Sequence, residues 1–151
     1  MHRTLTAIVA FAFLLIVPLS VSAQEAEVRK TIDNLMKALG TQDVEALADY
    51  FIEEAVLIVA RQRQGKWTNT VETAKQWLER MEDDPDASPF EERLSNVEVT
   101  IDSGELAYLR ADFEIVRDGK VVSHGVDLFT LLRIAGEWKV AAISYTNLPG
   151  K

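Results

Sequence analysis

The fold of this chain is decided by residues 106–146, which read LAYLRADFEIVRDGKVVSHGVDLFTLLRIAGEWKVAAISYT. Residues 107–115 alternate strictly between apolar and polar side chains, with Ala107 to Ile115 on one face and Tyr108 to Glu114 on the other. Alternation with a period of two is typical of a β-strand that has one buried face. Residues 121–132 and 138–145 are also rich in β-branched and aromatic residues, so the segment predicts three successive antiparallel strands.

The turn between the first two strands predicts how their residues pair. Asp118-Gly119 is typical of a two-residue type I′ hairpin turn, in which both central residues adopt positive φ. This turn places Arg117 opposite Lys120. Regular pairing beyond the turn then places Phe113 opposite His124.

His124 and Asp127 therefore fall on opposite faces of the predicted hairpin. Asp127 lies directly opposite Arg110, with which it forms a predicted cross-strand ion pair. The second turn, Ala135-Gly136, places Tyr145 on the same face as His124. His124 shares that face with three apolar residues of the second strand: Val122, Val126 and Leu128.

The first 23 residues are predicted to be a secretory signal peptide. Arg3 precedes an apolar run over residues 7–17 that is too short for a stable membrane span, and Val21-Ser22-Ala23 supplies small residues for cleavage. A retained membrane anchor is the alternative interpretation. Cleavage after Ala23 would release a periplasmic or secreted protein that no longer contacts the membrane. The length of the remaining chain, residues 24–151, predicts a single domain.

Composition excludes several classes of function. The chain contains no cysteine, which excludes disulfides, thiolate metal sites and a cysteine nucleophile. Its formal net charge of −8 opposes binding to nucleic acid, which requires a basic surface. His124 is the only histidine of the predicted mature domain, and no carboxylate spacing suggests a metal site. Since no nucleotide-binding motif is present either, we expect neither a metal nor a cofactor.

The segments before residue 106 predict helices first and strands later. Apolar residues recur at helical spacing in three segments, with Gly40 as the expected C-terminal cap of the first helix. Asp43 and Asn69 are the expected N-caps of the second and third helices. Further strands are predicted over residues 56–60 and 93–101. This order predicts an α+β fold in which three helices of the N-terminal half pack on the concave face of a cone-like, curved antiparallel sheet.

Three segments of the chain carry a resemblance to a known family. They are DVEALADYF at residues 43–51, SHGVDLFTLLR at residues 123–133 and GEWKV at residues 136–140. With them, nearly all of residues 24–145 resembles the nuclear transport factor 2-like superfamily, in its SnoaL-like and lumazine-binding-like branches. The resemblance implies a cone-shaped domain, often dimeric, with a pocket between helices and sheet. That superfamily includes isomerases, dehydratases, cyclases, epoxide hydrolases and non-catalytic domains, so the resemblance names no reaction.

His124 is the best candidate for a catalytic or ligand-binding group. An imidazole on the inner wall of a pocket can act as an acid, a base or a hydrogen-bond donor near neutral pH. A buried histidine with a structural hydrogen-bond partner is the alternative interpretation. The other candidates for ligand contact are aromatic side chains with a polar tip and one arginine that suits an anionic group: Tyr145, Trp67, Trp77, Tyr50 and Arg61.

Three functions are compatible with these features. The first is an exported domain that binds a small, partly apolar molecule. The second is a cofactor-independent acid–base enzyme of the isomerase, dehydratase or hydrolase type that acts on such a molecule. The third is a non-catalytic interaction module with a vestigial pocket. An open cavity favours the first two, whereas a closed core around His124 favours the third.

A homodimer is also expected from the outer face of the sheet. In the predicted register Tyr108, Phe129 and Leu131 share that face with Arg110 and Asp127. An apolar patch rimmed by charge typically marks an interface, and a two-fold axis would bring the patch against its own copy.

Overall fold

The computed structural model describes residues 20–84 and 88–150. The first 19 residues of the predicted signal peptide lie outside the described residues. The chain forms an α+β domain, as predicted, with three helices in its N-terminal half and six strands. The elements in chain order are α1 (Val21–Thr41), α2 (Val44–Ala48), β1 (Phe51–Arg63), β2 (Lys66–Thr73), α3 (Ala74–Glu82), β3 (Glu91–Asp102), β4 (Leu106–Arg117), β5 (Lys120–Ile134) and β6 (Glu137–Pro149).

The six strands form one curved, unclosed sheet in the order β2-β1-β6-β5-β4-β3. All neighbouring strands run antiparallel except β1 and β6, which are parallel. The three successive strands predicted from residues 106–146 are β4, β5 and β6, and they lie side by side at the centre of the sheet. The order leaves β2 and β3 at the two edges.

The core lies between the concave face of the sheet and α1. Leu57, Ile143, Phe129 and Leu109 are directly opposite one another on β1, β6, β5 and β4, and all four are buried. Apolar residues of α1 recur every three or four positions, so they lie on one side of the helix. That side packs on the sheet, and its members are buried: Val28, Ile32, Leu35 and Met36.

Two of the predicted helix ends are wrong by a few residues. The left-handed C-terminal cap of α1 is Gln42, with φ of 58°, rather than Gly40. Gly40 lies inside the helix, where its lack of a side chain lets the Phe90 carbonyl approach; a Cβ at Gly40 would be 2.5 Å from that oxygen. The N-cap of α3 is Thr73, which forms a capping box with Gln76, because the predicted cap Asn69 still belongs to β2.

The predicted pairing of Phe113 with His124 is wrong, although the turn that sets it is correct. Arg117 lies opposite Lys120, but β5 then contains one extra residue before Ser123, which pairs with Ile115. This β-bulge shifts the register by one, so His124 lies opposite Glu114. Because strand side chains alternate between faces, the shift exchanges the inner and outer residues of β5.

The exchanged faces overturn two further predictions. Phe129 and Leu131 lie on the inner face and are buried, so they cannot form the predicted outer patch with Tyr108. Asp127 is also buried on the inner face and does not pair with Arg110. The guanidinium of Arg110 instead lies 2.7 Å from the carboxylate of Asp112 on its own strand.

Gly125 occupies the inner position of β5 opposite Phe113. A Cβ at this position would lie 1.9 Å from the Thr146 carbonyl oxygen and 2.8 Å from the Phe113 ring. Only glycine therefore permits this close contact of β5 with β6. Among the helices of the described residues, none has the length and apolar character that a membrane crossing needs.

Candidate functional site

A cavity of about 1140 Å³ opens between α1, α3 and the concave face of the sheet. Its size is that of a pocket for a small organic molecule. One part of the wall is apolar and comes from both helices and three strands: Leu35, Met36, Leu57, Trp77, Phe129 and Ile143. Trp77 is held in place by an edge-to-face contact with Phe51, with ring centroids 5.9 Å apart.

Two carboxyl groups meet in this cavity. Glu92 of β3 and Asp127 of β5 are hydrogen-bonded to each other, and β4 lies between their strands. Burial raises the pKa of Glu92 to about 7. Burial and the neighbouring Glu92 raise the pKa of Asp127 well above its ordinary range. Two buried carboxyls in contact resist joint ionisation, so the pair holds a proton near neutral pH.

The Glu92–Asp127 pair has no cationic partner among residues 20–84 and 88–150. No lysine or arginine of this part of the chain forms an ion pair with either carboxyl. Oδ2 of Asp127 is fully buried and has no hydrogen-bond partner among these residues. Such a group normally has a partner, so a ligand or a proton is the expected neutralising species.

Tyr145 lies beside the carboxyl pair. It is directly opposite Asp127 on β6, and its ring packs edge-to-face on Phe113 at 6.4 Å between centroids. Burial raises the pKa of the Tyr145 hydroxyl, an effect that the charge of Arg61 opposes. Arg61 is therefore close enough to reach the same part of the cavity.

Two of the three arginines that line the cavity are engaged with neighbours. Arg80 of α3 forms an ion pair with Glu72 of β2. The Arg117 guanidinium lies over the Phe90 ring, 5.4 Å from its centroid. Arg61, which also lines the cavity, has no ion pair within the described residues.

The structure brings three of the predicted ligand contacts into this cavity, namely Tyr145, Trp77 and Arg61. Trp67 lies on edge strand β2, with half of its surface exposed, and does not line the cavity. Tyr50 lines a separate, smaller cavity of about 320 Å³ between α1 and the start of β6. Whether the three residues contact a ligand stays a prediction.

His124 does not line the cavity, which corrects its predicted place on the inner wall. It lies opposite Glu114 on one side and Leu148 on the other. Its Nδ1 atom is buried and has no hydrogen-bond partner within the described residues. The bulge in β5 is the physical reason, because it turns His124 outward and Asp127 inward.

Glu92 and Asp127 are the cavity residues that the sequence-based interpretation missed. Asp127 was expected to point outward because regular pairing was assumed. Glu92 lies one residue before the strand predicted over residues 93–101. In the sequence it looks like an ordinary charged residue at the end of a strand. The alternation of Glu92 with Leu94 on β3 was the available signal, since both side chains lie on one face.

A metal site is not formed by the described residues. No group of three or more histidine, aspartate or glutamate side chains in this part of the chain is arranged to hold an ion.

A family model described as "Putative lumazine-binding" matches residues 23–146 of this chain. The match begins at the third residue of α1 and ends three residues before the end of β6, so it covers every other helix and strand completely. Among curated proteins, none matches this sequence.

Solved structures share the fold at low sequence identity. A protein of unknown function from Mycobacterium tuberculosis is 15% identical, with a TM-score of 0.67, over 83% of this chain and 72% of that one. An NTF2-like protein of unknown function from Pseudomonas putida is 17% identical, with a TM-score of 0.65, over 83% and 87%. An NTF2-like protein with a cystatin-like fold from Novosphingobium aromaticivorans is 15% identical, with a TM-score of 0.65, over 83% and 82%.

Proposed function

Because the chain belongs to the lumazine-binding-like family of NTF2-like proteins, we propose that it binds a small, partly apolar molecule in the cavity between its helices and its sheet. The observation that carries this proposal is the cavity of about 1140 Å³, which combines an apolar wall with a polar cluster. Ligand pockets typically have this composition, in which the apolar surface supplies affinity and a few polar groups set the orientation.

The ligand would lie with its apolar part against Trp77 and Leu57 and its polar part towards Asp127, Glu92 and Tyr145. Both sets of residues are held by rigid elements. Trp77 is fixed on α3 by its contact with Phe51, and Tyr145 is fixed on β6 by its contact with Phe113. Such preorganisation reduces the entropy lost on binding.

Native mass spectrometry of the protein purified from its host tests this function. We expect a small molecule that leaves the protein on denaturation. Trp77→Ala should lose the ligand, because this change removes a large apolar wall of the cavity. Trp67→Ala is the matched control, since Trp67 is exposed on β2 and does not line the cavity. Equal ligand content in the two variants would contradict the proposed site.

The carboxyl pair favours a second candidate function, a cofactor-independent acid–base enzyme. A carboxyl group whose pKa is about 7 can both accept and donate a proton at neutral pH, as Glu92 could. A protonated Asp127 could donate a hydrogen bond to an oxygen that becomes negatively charged. If this function applies, the recovered ligand should take up deuterium from D₂O with the wild-type protein but not with Glu92→Gln.

We also propose that the protein is exported and that it forms a homodimer. Cleavage after Ala23 would release the domain into the periplasm or the medium, and N-terminal sequencing should then read Gln24 first. The dimer is proposed through the outer face of the sheet, where large apolar side chains remain exposed: Ile58, Tyr108 and Leu128. The charged residues beside them, Arg110 and Asp112, have opposite signs, which suits the meeting of two identical copies.

A further inference from the structure

We propose that the ligand of this cavity carries a cationic amine, which binds between the carboxyl groups of Glu92 and Asp127 and extends an apolar body along Trp77. This inference rests on the proposed function, since it specifies the chemistry of the molecule that the cavity holds. The cavity, the buried unpartnered oxygen and the distribution of charge in the wall each support it.

The first support is the unsatisfied state of the pair. Asp127 is 4% exposed, and its Oδ2 has no hydrogen-bond partner among the described residues. A proton shared within the pair neutralises one charge but supplies only one donor. An ammonium group supplies three donors together with a positive charge, so it can satisfy both carboxyl groups at once.

The second support is that no lysine or arginine of the described residues forms an ion pair with Glu92 or Asp127. Arg80 is held by Glu72, and Arg117 is held over Phe90. Arg61 lies near Tyr145, and its charge opposes the rise in the pKa of that tyrosine. A positively charged ligand is therefore the available counter-ion for Glu92 and Asp127, and the net charge of −8 of the chain favours its approach.

The third support is the apolar wall that adjoins the pair. Phe129 lies two residues from Asp127 on the inner face of β5, and Ile143 lies two residues from Tyr145 on β6. Both side chains line the cavity together with Leu57. A ligand that places an amine at the pair must therefore carry an apolar or aromatic body, because polar atoms would lose hydrogen bonds to water there.

Binding of an amine should depend on pH in a direction that the pair determines. Burial raises the pKa of Glu92 to about 7, so its ionised fraction increases as the pH rises from about 6 to about 8. The amine stays protonated over this range, and its affinity should rise with pH. The other titratable or charged side chains of the cavity wall come from β1, β2, α3, β4 and β6: Arg61, Glu72, Glu79, Arg80, Arg117 and Tyr145. Asp83 and Asp84, at the end of α3, also line it.

Calorimetric titration with three probes of similar shape tests the inference. The probes are phenethylamine, phenethyl alcohol and phenylacetate, each titrated into the full-length mature protein at about pH 6, 7 and 8. At the highest pH the amine should bind roughly ten-fold more tightly than the alcohol, since a charge-assisted hydrogen bond replaces a neutral one. The affinity of the amine should rise with pH, whereas that of the alcohol should not.

Two variants locate this preference. Glu92→Gln should lower the preference for the amine over the alcohol and should weaken its pH dependence, because only the Asp127 carboxyl then remains. The variant should still fold, because glutamine has no charge to bury. Glu98→Gln is the matched control, since Glu98 is exposed and lies opposite Arg110. It should retain the full preference for the amine.

Several results would overturn the inference. Equal affinity for the amine and the alcohol would show that the pair does not select a cation. Preferred binding of phenylacetate would assign selectivity to Arg61 instead. Binding of none of the probes, or a neutral or anionic molecule recovered from the native protein, would also refute it. A recovered neutral or anionic ligand that Trp77→Ala loses would leave the proposed pocket function intact.

Discussion

The carboxyl group of Glu92 contacts that of Asp127, although their strands are separated by β4. Curvature of the sheet brings the two side chains together on its concave face. Both carboxyls are buried, and burial raises the pKa of each. This contact determines both the chemistry proposed for the cavity and the pH dependence of folding.

Stability should decrease as the pH rises through the range in which Glu92 ionises. The pKa of Glu92 is raised from 4.5 to about 7 in the folded protein, so the folded state binds a proton that the unfolded state releases. Protonation of Glu92 stabilises the folded state fully below about pH 4.5. This stabilisation disappears as the pH rises to about 7, which lowers the free energy of unfolding by up to about 3 kcal/mol.

The variant Glu92→Gln isolates this contribution, because glutamine cannot ionise. Denaturant unfolding at several pH values should show a smaller loss of stability between mildly acidic and neutral pH than in the wild type. Glu98→Gln should behave like the wild type. Identical pH profiles for Glu92→Gln and the wild type would contradict the buried position of Glu92.

His124 should make no contribution to ligand binding, because the bulge in β5 places it outside the cavity. His124→Ala should leave the content of co-purified ligand unchanged, whereas Tyr145→Phe should reduce it. Proton NMR should show short cross-strand contacts of His124 with Glu114 and with Leu148. Direct pairing of His124 with Phe113 would show instead that the hairpin has no bulge.

Gly125→Ala should destabilise the domain by roughly 2–3 kcal/mol, since overpacking forces backbone to move. The new Cβ would lie 1.9 Å from the Thr146 carbonyl oxygen, which belongs to the backbone of β6 and cannot rotate away. Gly136→Ala is the matched control. Gly136 has φ of 87° with open space around it, so its substitution should cost only about 1 kcal/mol of backbone strain. Thermal and urea unfolding measure both, and a smaller loss at Gly125 than at Gly136 would contradict the close contact.

Leu128→Glu should convert the proposed dimer into a folded monomer. Leu128 is 50% exposed on the outer face, opposite Ser144, which in turn lies opposite Ile58. The introduced carboxylate would lose its hydration in the interface, and Arg110, which lies opposite it and is already paired with Asp112, would offset only part of that cost. Sedimentation at micromolar concentration measures the change, with Lys75→Glu on the exposed side of α3 as the control. A monomeric wild type would refute the dimer.

The sequence alone determined the class of fold and the order of its elements, except for edge strand β2 between β1 and α3, which it did not predict. Helical spacing of apolar residues, period-two alternation and the Asp118-Gly119 turn are local signals, since each depends on residues that are close in the chain. They led to three helices, to the strands of residues 106–146 and to the resemblance that the family match over residues 23–146 supports.

Tertiary structure alone decided which face of β5 is buried. Both faces of this strand carry large apolar residues, with Leu128 on one and Phe129 on the other, so alternation does not distinguish them. The bulge buries Phe129 and Leu131 and places Gly125 where β6 requires a residue without a side chain. A single extra residue in a strand reverses every following side chain, and this is why Asp127 reaches Glu92 inside the cavity while His124 is turned away from it.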